Sequence, residues 1–163
     1  NLELPEYRTI DLLKNEWYLA RNAAITAECA LRVAAAHMET VFAGTGVLVI
    51  GWGRIGKCLA RLLKDMGAAV TVAARKEADR AMAEALGYGS SLPGLVPEGC
   101  RVVFNTVPVT VMEAVPECLN MDLASRPGIL GEGVIWARGL PGKYAPESSG
   151  RLIGEAFLRE VRK

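Results

Sequence analysis

With 163 residues the chain is long enough for one domain with a full core. Lysine and arginine total 19 against 18 aspartates and glutamates, so no net charge draws it to nucleic acid or to an anionic membrane. No apolar run reaches the length of a bilayer span, no signal peptide is visible, and Cys29, Cys58, Cys100 and Cys118 lie far apart, which reads as small buried thiols in a reducing cytoplasm rather than disulfides or metal ligands.

Residues Tyr7 to Trp17 read as a short amphipathic helix, with Ile10, Leu12, Leu13 and Trp17 near one face. Tyr18 to Arg21 is read as extended, and Asn22 as the N-cap of a long helix over Ala23–Ala43. That helix carries little polarity on any side; its exceptions are Thr26, Glu28, His37 and Glu39. A helix apolar nearly all round is buried on more than one side, here expected to be the sheet of the following domain and a further domain or protomer.

Val47 to Ile50 is a β-branched run that feeds Gly51-x-Gly53-x-x-Gly56, and a helical pattern over Ile55–Met66 closes on Gly67. Gly51 permits a tight turn out of the strand, Gly53 lets a pyrophosphate approach the backbone, and Gly56 lets the helix lie close to the strand. The phosphates would rest on the free N–H groups and positive dipole end of that helix, with Gly51, Trp52, Gly53, Arg54, Ile55 and Gly56 around them. A turn rich in glycine only for packing is the alternative, but a second strand over Val70–Ala74 follows at the distance a dinucleotide fold requires.

At the end of that second strand a site for NAD usually carries an acidic residue on the ribose 2′-OH. Here stand Ala74, Arg75 and Lys76, with no carboxylate to repel a 2′-phosphate and two cations to hold it, so NADP is expected over NAD. Otherwise Arg75 and Lys76 simply start the solvated helix expected over Glu77–Leu86. A short strand is expected near Tyr88 and another over Arg101–Thr106. The latter breaks at Asn105-Thr-Val-Pro108, where ligands of open α/β sheets bind, so Asn105, Thr106, Val107 and Pro108 are expected to line the cofactor. The competing view is a strand that ends because proline ends it.

Val111 to Glu117 reads as a short helix, Leu119–Leu123 and Val134–Ala137 as strands, and Glu147–Arg162 as a last helix opened by Ala145-Pro146, with Ser148 and Ser149 at its start. The two strands run into turns rich in Gly and Pro on the edge of the phosphate turn, and Leu140 and Pro141 of the second turn are placed beside the cofactor. The whole reads as a Rossmann-type, doubly wound parallel α/β sheet preceded by a long buried helix, divided into a helical lead-in (1–43) and a dinucleotide-binding domain (44–163). The first residue is not methionine, and little chain remains for binding substrate, so the sequence is expected to be a fragment or processed product.

Asp122-Leu-Ala-Ser-Arg-Pro-Gly128, together with Gly139-Leu-Pro-Gly142, Ala145-Pro146 and Asn105-Thr-Val-Pro108, resembles the A subunits of bacterial dipicolinate synthase over nearly the whole chain, corresponding to their C-terminal half. The Asn22–Glu28 stretch is similar to theirs, with Ile25 in place of the usual proline, and Ile129-Leu-Gly-Glu132 departs from their pattern. More distantly the chain is similar to D-2-hydroxyacid dehydrogenases and adenosylhomocysteinase. The resemblance implies oxidation of a dihydro- or hydroxytetrahydro-dipicolinate to pyridine-2,6-dicarboxylate with hydride transfer to NADP, in the cytoplasm of the mother cell of a spore-forming bacterium. It also implies a missing N-terminal domain and a partner, the B subunit of dipicolinate synthase. The buried helix suggests a homo-oligomer.

For a dicarboxylate substrate a guanidinium is the best clamp, and Arg126, at the end of a strand, is the first choice, with Ser125 adding hydrogen bonds. An Arg126 that only bonds loop carbonyls is the structural alternative. Glu28, a carboxylate in a largely apolar helix, is a candidate base or substrate contact, or else answers the helix dipole. Asp122 reads as an orienting residue rather than a base. His37 reads as a packing or hydrogen-bonding residue. The rival function is a dinucleotide-binding regulatory or interaction domain without catalysis, or an NAD domain of the D-2-hydroxyacid dehydrogenase kind.

Overall fold

The computed structural model describes residues 9–162. Along the chain a 3-10 turn (Leu12–Lys14) precedes α1 (Glu16–Ala36), β1 (Gly46–Ile50), α2 (Arg54–Asp65), β2 (Ala69–Ala73), α3 (Glu77–Ala85), β3 (Gly89–Ser91), β4 (Cys100–Asn105), β5 (Met112–Glu113), β6 (Leu119–Asp122), β7 (Ile129–Leu130), β8 (Val134–Trp136), α4 (Leu140–Tyr144) and α5 (Pro146–Val161). Six strands form one sheet in the order β3-β2-β1-β4-β6-β8, and β5 pairs with β7 in a separate ribbon. Every pairing is parallel, so the carboxyl ends of the six strands share one edge. β1 is central because Val47, Leu48, Val49 and Ile50 are apolar on both faces and all buried.

The two faces are covered differently. Val47, Val49, Val72, Val102 and Phe104 meet Leu59, Ala60 and Leu63 of α2 and Ala27, Ala30 and Ala34 of α1 in one core. Leu59 and Leu63 have no exposed surface, and each such burial is worth about 1.5–3 kcal/mol. The opposite face, with Leu48, Ile50, Ala73 and Val103, is covered by Val96, Val107, Val111, Met112 and Ile129 from loops and the β5–β7 ribbon, with no helix among the described residues. The crossovers that would carry helices there, residues 106–118 and 123–133, are short and broken by Pro108, Pro116 and Pro127. The parallel Rossmann-type sheet is as expected, but its second winding runs through loops.

That explains one correction. Val111 to Glu117 is not a helix: Pro116 disfavours helical backbone at the residue before it, and Asn120 ties the following turn, accepting from the Val115 N–H (3.1 Å) and donating to the Val115 and Cys118 carbonyls (2.8 Å each).

The N-terminal frame also shifts. The expected helix over Tyr7–Trp17 does not form among its described residues, while Tyr7 and Arg8 lie outside them. Asp11 caps the 3-10 turn, and Asn15, extended at φ −91° and ψ 107°, breaks it from α1. Asn15, not Asn22, is the N-cap; its Oδ1 accepts from the Tyr18 N–H at 2.8 Å, and Tyr18–Arg21 is helical. The helix stops at Ala36, short of Ala43, with exposed His37 as its C-cap, and Phe42 beyond it turns inward to 4% exposure. Its second side packs on α4 and α5 of this chain. Among the described residues no helix is long and apolar enough to cross a membrane.

Candidate functional site

The turn after β1 has the geometry its glycines imply. Gly51 has φ +104°, and a Cβ there would collide with Thr106 Oγ1. A Cβ on Gly56 would overlap the Gly51 carbonyl oxygen, so the first turn of α2 lies against the strand end. On Gly53 a Cβ would meet nothing within 4 Å, which leaves open space over the backbone at the start of α2. Gly53 caps α2 without a side chain, and the first turn of α2 holds no acidic residue. Its leading N–H groups and dipole therefore face that space uncapped, the arrangement that receives an anion.

Trp52 is half-buried against the core. Its ring meets Tyr88 edge-on at 5.7 Å, and Lys57 and Lys64 lie over the Trp52 and Tyr88 rings at 5.7 and 4.9 Å. Burial, with the Asp65 carboxylate adding to it, raises the Tyr88 phenol above its usual value. Ile55 packs into the core.

At the end of β2, Ala74 is buried and its carbonyl accepts from Arg80 (2.8 Å), which also donates to the Arg75 carbonyl (2.9 Å). This clamp, unseen in the sequence, leaves the Arg75 and Lys76 side chains exposed and without a carboxylate partner among the described residues. Ser91, opposite Ala73 on β3, buries an Oγ that has no hydrogen-bond partner among the described residues.

The ends of β4 and β6 are joined by one buried network. Thr106 donates to the Ile50 carbonyl through both N (2.9 Å) and Oγ1 (2.8 Å), which fixes the β4 end to the phosphate turn. Asn105 has no exposed surface; its amide donates to the Val107 carbonyl (2.9 Å) and to Asp122 Oδ1 (3.0 Å), and its Oδ1 accepts from the Val107 N–H. Asn105, expected to line the cofactor, is thus fully buried here and shapes the loop bearing half-buried Val107 and exposed Pro108.

Asp122 is equally buried and accepts from Asn105 and the Ala124 N–H (2.9 Å) at Oδ1, and from the Gly128 (2.6 Å) and Ile129 (3.0 Å) N–H groups at Oδ2. It orients the loop that carries Ser125 and Arg126, both exposed, with no described residue bonding the guanidinium. On the next strand Trp136 donates to the Ala124 carbonyl (3.2 Å), and Arg138 stacks on its ring at 5.4 Å. Arg138, missed in the sequence, is thus a second guanidinium on this edge.

Two expected residues are placed elsewhere. Leu140 is 2% exposed and belongs to the core, while Pro141 sits half-buried in the first turn of α4 behind Gly139. Glu28 lies with Ile25, Cys29, Arg32, Tyr144 and Ser148 in a cavity of about 300 Å³ between α1 and the α4–α5 junction, where Arg32 donates to the Tyr144 carbonyl (2.9 Å). No described hydrogen bond or ion pair links Glu28 to Ser125, Arg126 or the phosphate turn. Ser148 and Ser149 make no cap for α5. All four cysteines are free thiols.

Residues 16–114 match the family described as D-isomer specific 2-hydroxyacid dehydrogenase, NAD binding domain. The A subunit of dipicolinate synthase from Bacillus subtilis (strain 168) is 28% identical over 169 aligned positions, covering 93% of this chain and 57% of that protein. The crystal structure of the dipicolinate synthase A subunit from Bacillus halodurans superposes with a TM-score of 0.85 at 25% identity, over 94% of this chain and 59% of that one. That of the Bacillus subtilis protein gives 0.84 at 27%, over 94% and 57%. The chain thus spans under two thirds of these relatives' length.

Proposed function

Because this chain belongs to the D-isomer specific 2-hydroxyacid dehydrogenase NAD-binding domain family, and so binds a nicotinamide dinucleotide, we propose that it is the cofactor-binding half of an NADP-dependent dipicolinate synthase of the A-subunit type. One observation carries the reading: the uncapped start of α2 opens at Gly53 on the same sheet edge as two free cations, Arg75 and Lys76. The α2 N–H groups would hold the pyrophosphate, and Arg75, with Lys76, the 2′-phosphate. Thr106, Val107 and Pro108 would close over the middle of the dinucleotide.

A nicotinamide held there would supply the hydride acceptor for a dihydrodipicolinate ring, which the hydroxytetrahydro precursor would become by losing water. Arg126, held out by the Asp122 network, would clamp one carboxylate, with Ser125 adding a hydrogen bond and Arg138 available to the other. The ring proton lost on aromatisation is acidic, so water or a modest base suffices. Pairing with the B subunit of dipicolinate synthase, assembly with further copies, and a role in the sporulating mother cell belong to the same proposal. They rest on the likeness to the dipicolinate synthase A subunits.

The test is titration of the chain with NADPH and NADH, followed by energy transfer from tryptophan to the reduced nicotinamide. Preference for NADPH that Arg75→Asp reverses, by about ten- to a hundredfold, supports the assignment. Preference for NADH in the wild type removes the 2′-phosphate argument and leaves the dehydrogenase reading standing.

A further inference from the structure

The anion site at the start of α2 already meets a carboxylate from within the chain. Arg54 is the first residue of α2, directly after the open Gly53. Its Nη2 stands 2.6 Å from Oε2 of Glu16, the first residue of α1. One nitrogen meets one oxygen, so the other guanidinium N–H groups are engaged by no described residue. The first turn of α2 holds no acid of its own, so the negative charge beside it comes from α1. The start of α1 is anchored separately. Asn15 caps it and donates to Glu160 Oε1 at 2.7 Å, and the Arg159 guanidinium lies 4.0 Å from the Trp17 ring.

We propose that Glu16 is a built-in competitor for the dinucleotide pyrophosphate. While the turn is free, the Glu16 carboxylate holds Arg54. When a dinucleotide binds, the guanidinium passes to the pyrophosphate, which brings two negative charges against one and can take a bidentate fork. The inference rests on the reading that the dinucleotide occupies this turn. Glu16 then lowers cofactor affinity by the cost of breaking its pair, and binding removes one of the ties on the first turn of α1. Both side chains are well exposed, 50% for Arg54 and 77% for Glu16, so the effect is a few-fold and not a hundredfold.

The experiment is a double-mutant cycle on the 163-residue chain, titrated with NADPH and with ADP-ribose, which keeps the pyrophosphate and lacks the nicotinamide. Glu16→Gln should tighten both about three- to fivefold, and Arg54→Gln should weaken both. In the Arg54→Gln background, Glu16→Gln should change affinity less than about twofold, the double-mutant signature of a direct pair. Amide exchange at Trp17–Ala20 should quicken when the wild type is saturated with NADPH, and should already be quick in Glu16→Gln. Weaker binding by Glu16→Gln would mean that Glu16 positions Arg54 and would overturn the competition. Equal tightening in both backgrounds would reduce Glu16 to a distant charge, and no change would remove its role; either overturns the proposal. A wild type that binds neither ligand would take the dinucleotide reading down with it, an outcome distinct from binding that ignores Glu16.

Discussion

Asp122→Asn isolates what holds the ends of β4 and β6 together. The native carboxylate accepts four hydrogen bonds, two on each oxygen, in a site with no solvent exposure. An asparagine has one carbonyl oxygen, and its NH₂ must stand where the other oxygen was. If the oxygen stays with Asn105 and Ala124, the Gly128 and Ile129 N–H groups face a donor. If it turns, the Ala124 N–H and the Asn105 amide do. Either way two buried donors lose their acceptor, at about 1–3 kcal/mol each, so the variant should lose about 2–6 kcal/mol. Against a domain stability of about 5–15 kcal/mol, that is a large drop that need not abolish folding. Urea unfolding followed by tryptophan fluorescence should show a lower midpoint at an unchanged slope. Binding of pyridine-2,6-dicarboxylate should fall with it, while the phosphate turn, fixed by Thr106 to Ile50, still takes up the dinucleotide. A loss of less than about 1 kcal/mol would refute the claim that this carboxylate organises the edge.

Gly53→Ala and Gly56→Ala should separate binding from folding. The first adds a methyl to empty space and should keep stability within about 1 kcal/mol, yet weaken dinucleotide binding at least about tenfold, by filling the pyrophosphate's approach. The second drives a methyl into the Gly51 carbonyl and should cost about 1–3 kcal/mol or more together with binding, as thermal melts and titrations would show. Arg126→Ala should weaken pyridine-2,6-dicarboxylate binding about ten- to a hundredfold and leave NADPH affinity within about twofold, read by calorimetry; equal losses of both would move Arg126 from clamp to scaffold. The thiols should be slow. Burial raises all four above the ordinary value of 9.0, with Cys118 pushed up to about 11, so native protein at pH 8 should react sluggishly with iodoacetamide while urea-unfolded protein reacts fully. Between pH 9 and 11 the fold retains thiol protons that the unfolded chain releases. Stability should therefore be flat below that window and fall as pH rises through it.

What was legible in the sequence was what local chemistry decides. Gly51 answers to its own positive φ and Gly56 to the Gly51 carbonyl five positions before it, constraints that lie within the turn, and β1 reads as buried because both its faces are apolar. The frame of the long helix was not legible, because Asn15 and Asn22 are equally good caps in isolation. The choice turns on Asn15 reaching Glu160, far along the chain, and on Phe42 turning into the core. The false helix over Val111–Glu117 did carry its own warning in Pro116, which the apolar spacing masked. Asn105 was placed near the cofactor because it sits at a strand end, and Leu140 because it sits in the turn that follows one. Facing cleft or core depends on register and on the path of the following turn: Asn105 lies between Ile50 and Asp122 in the sheet, and Leu140 follows a left-handed Gly139 that swings it inward. Glu16 left no trace at all, since nothing near it in sequence announces Arg54.

The helix-free face explains why site and core are hard to separate here. In a sheet wound with helices on both sides, loops at the carboxyl edge can vary while helices keep the core covered. In this chain residues 106–118 and 123–133 do both jobs. Val107 packs on Leu48 and Ile50 one position before exposed Pro108, and Ile129, 3% exposed, lies three positions after Arg126. Gly128 is pinned between them, for a Cβ there would collide with the Asn105 amide and stand 2.7 Å from the Val109 carbonyl oxygen. The departure at Ile129–Glu132 from the dipicolinate synthase pattern falls in this double-duty segment. Its apolar residues are accounted for by the fold, because Ile129 fills the helix-free face and Leu130 extends the β5–β7 ribbon through the Ala114 N–H to Leu130 carbonyl bond (2.7 Å). A change that lets a crossover cover a bare sheet face is a packing change. The Ile129 N–H also donates to Asp122 Oδ2 (3.0 Å), so the cover of this face and the Asp122 network share one segment.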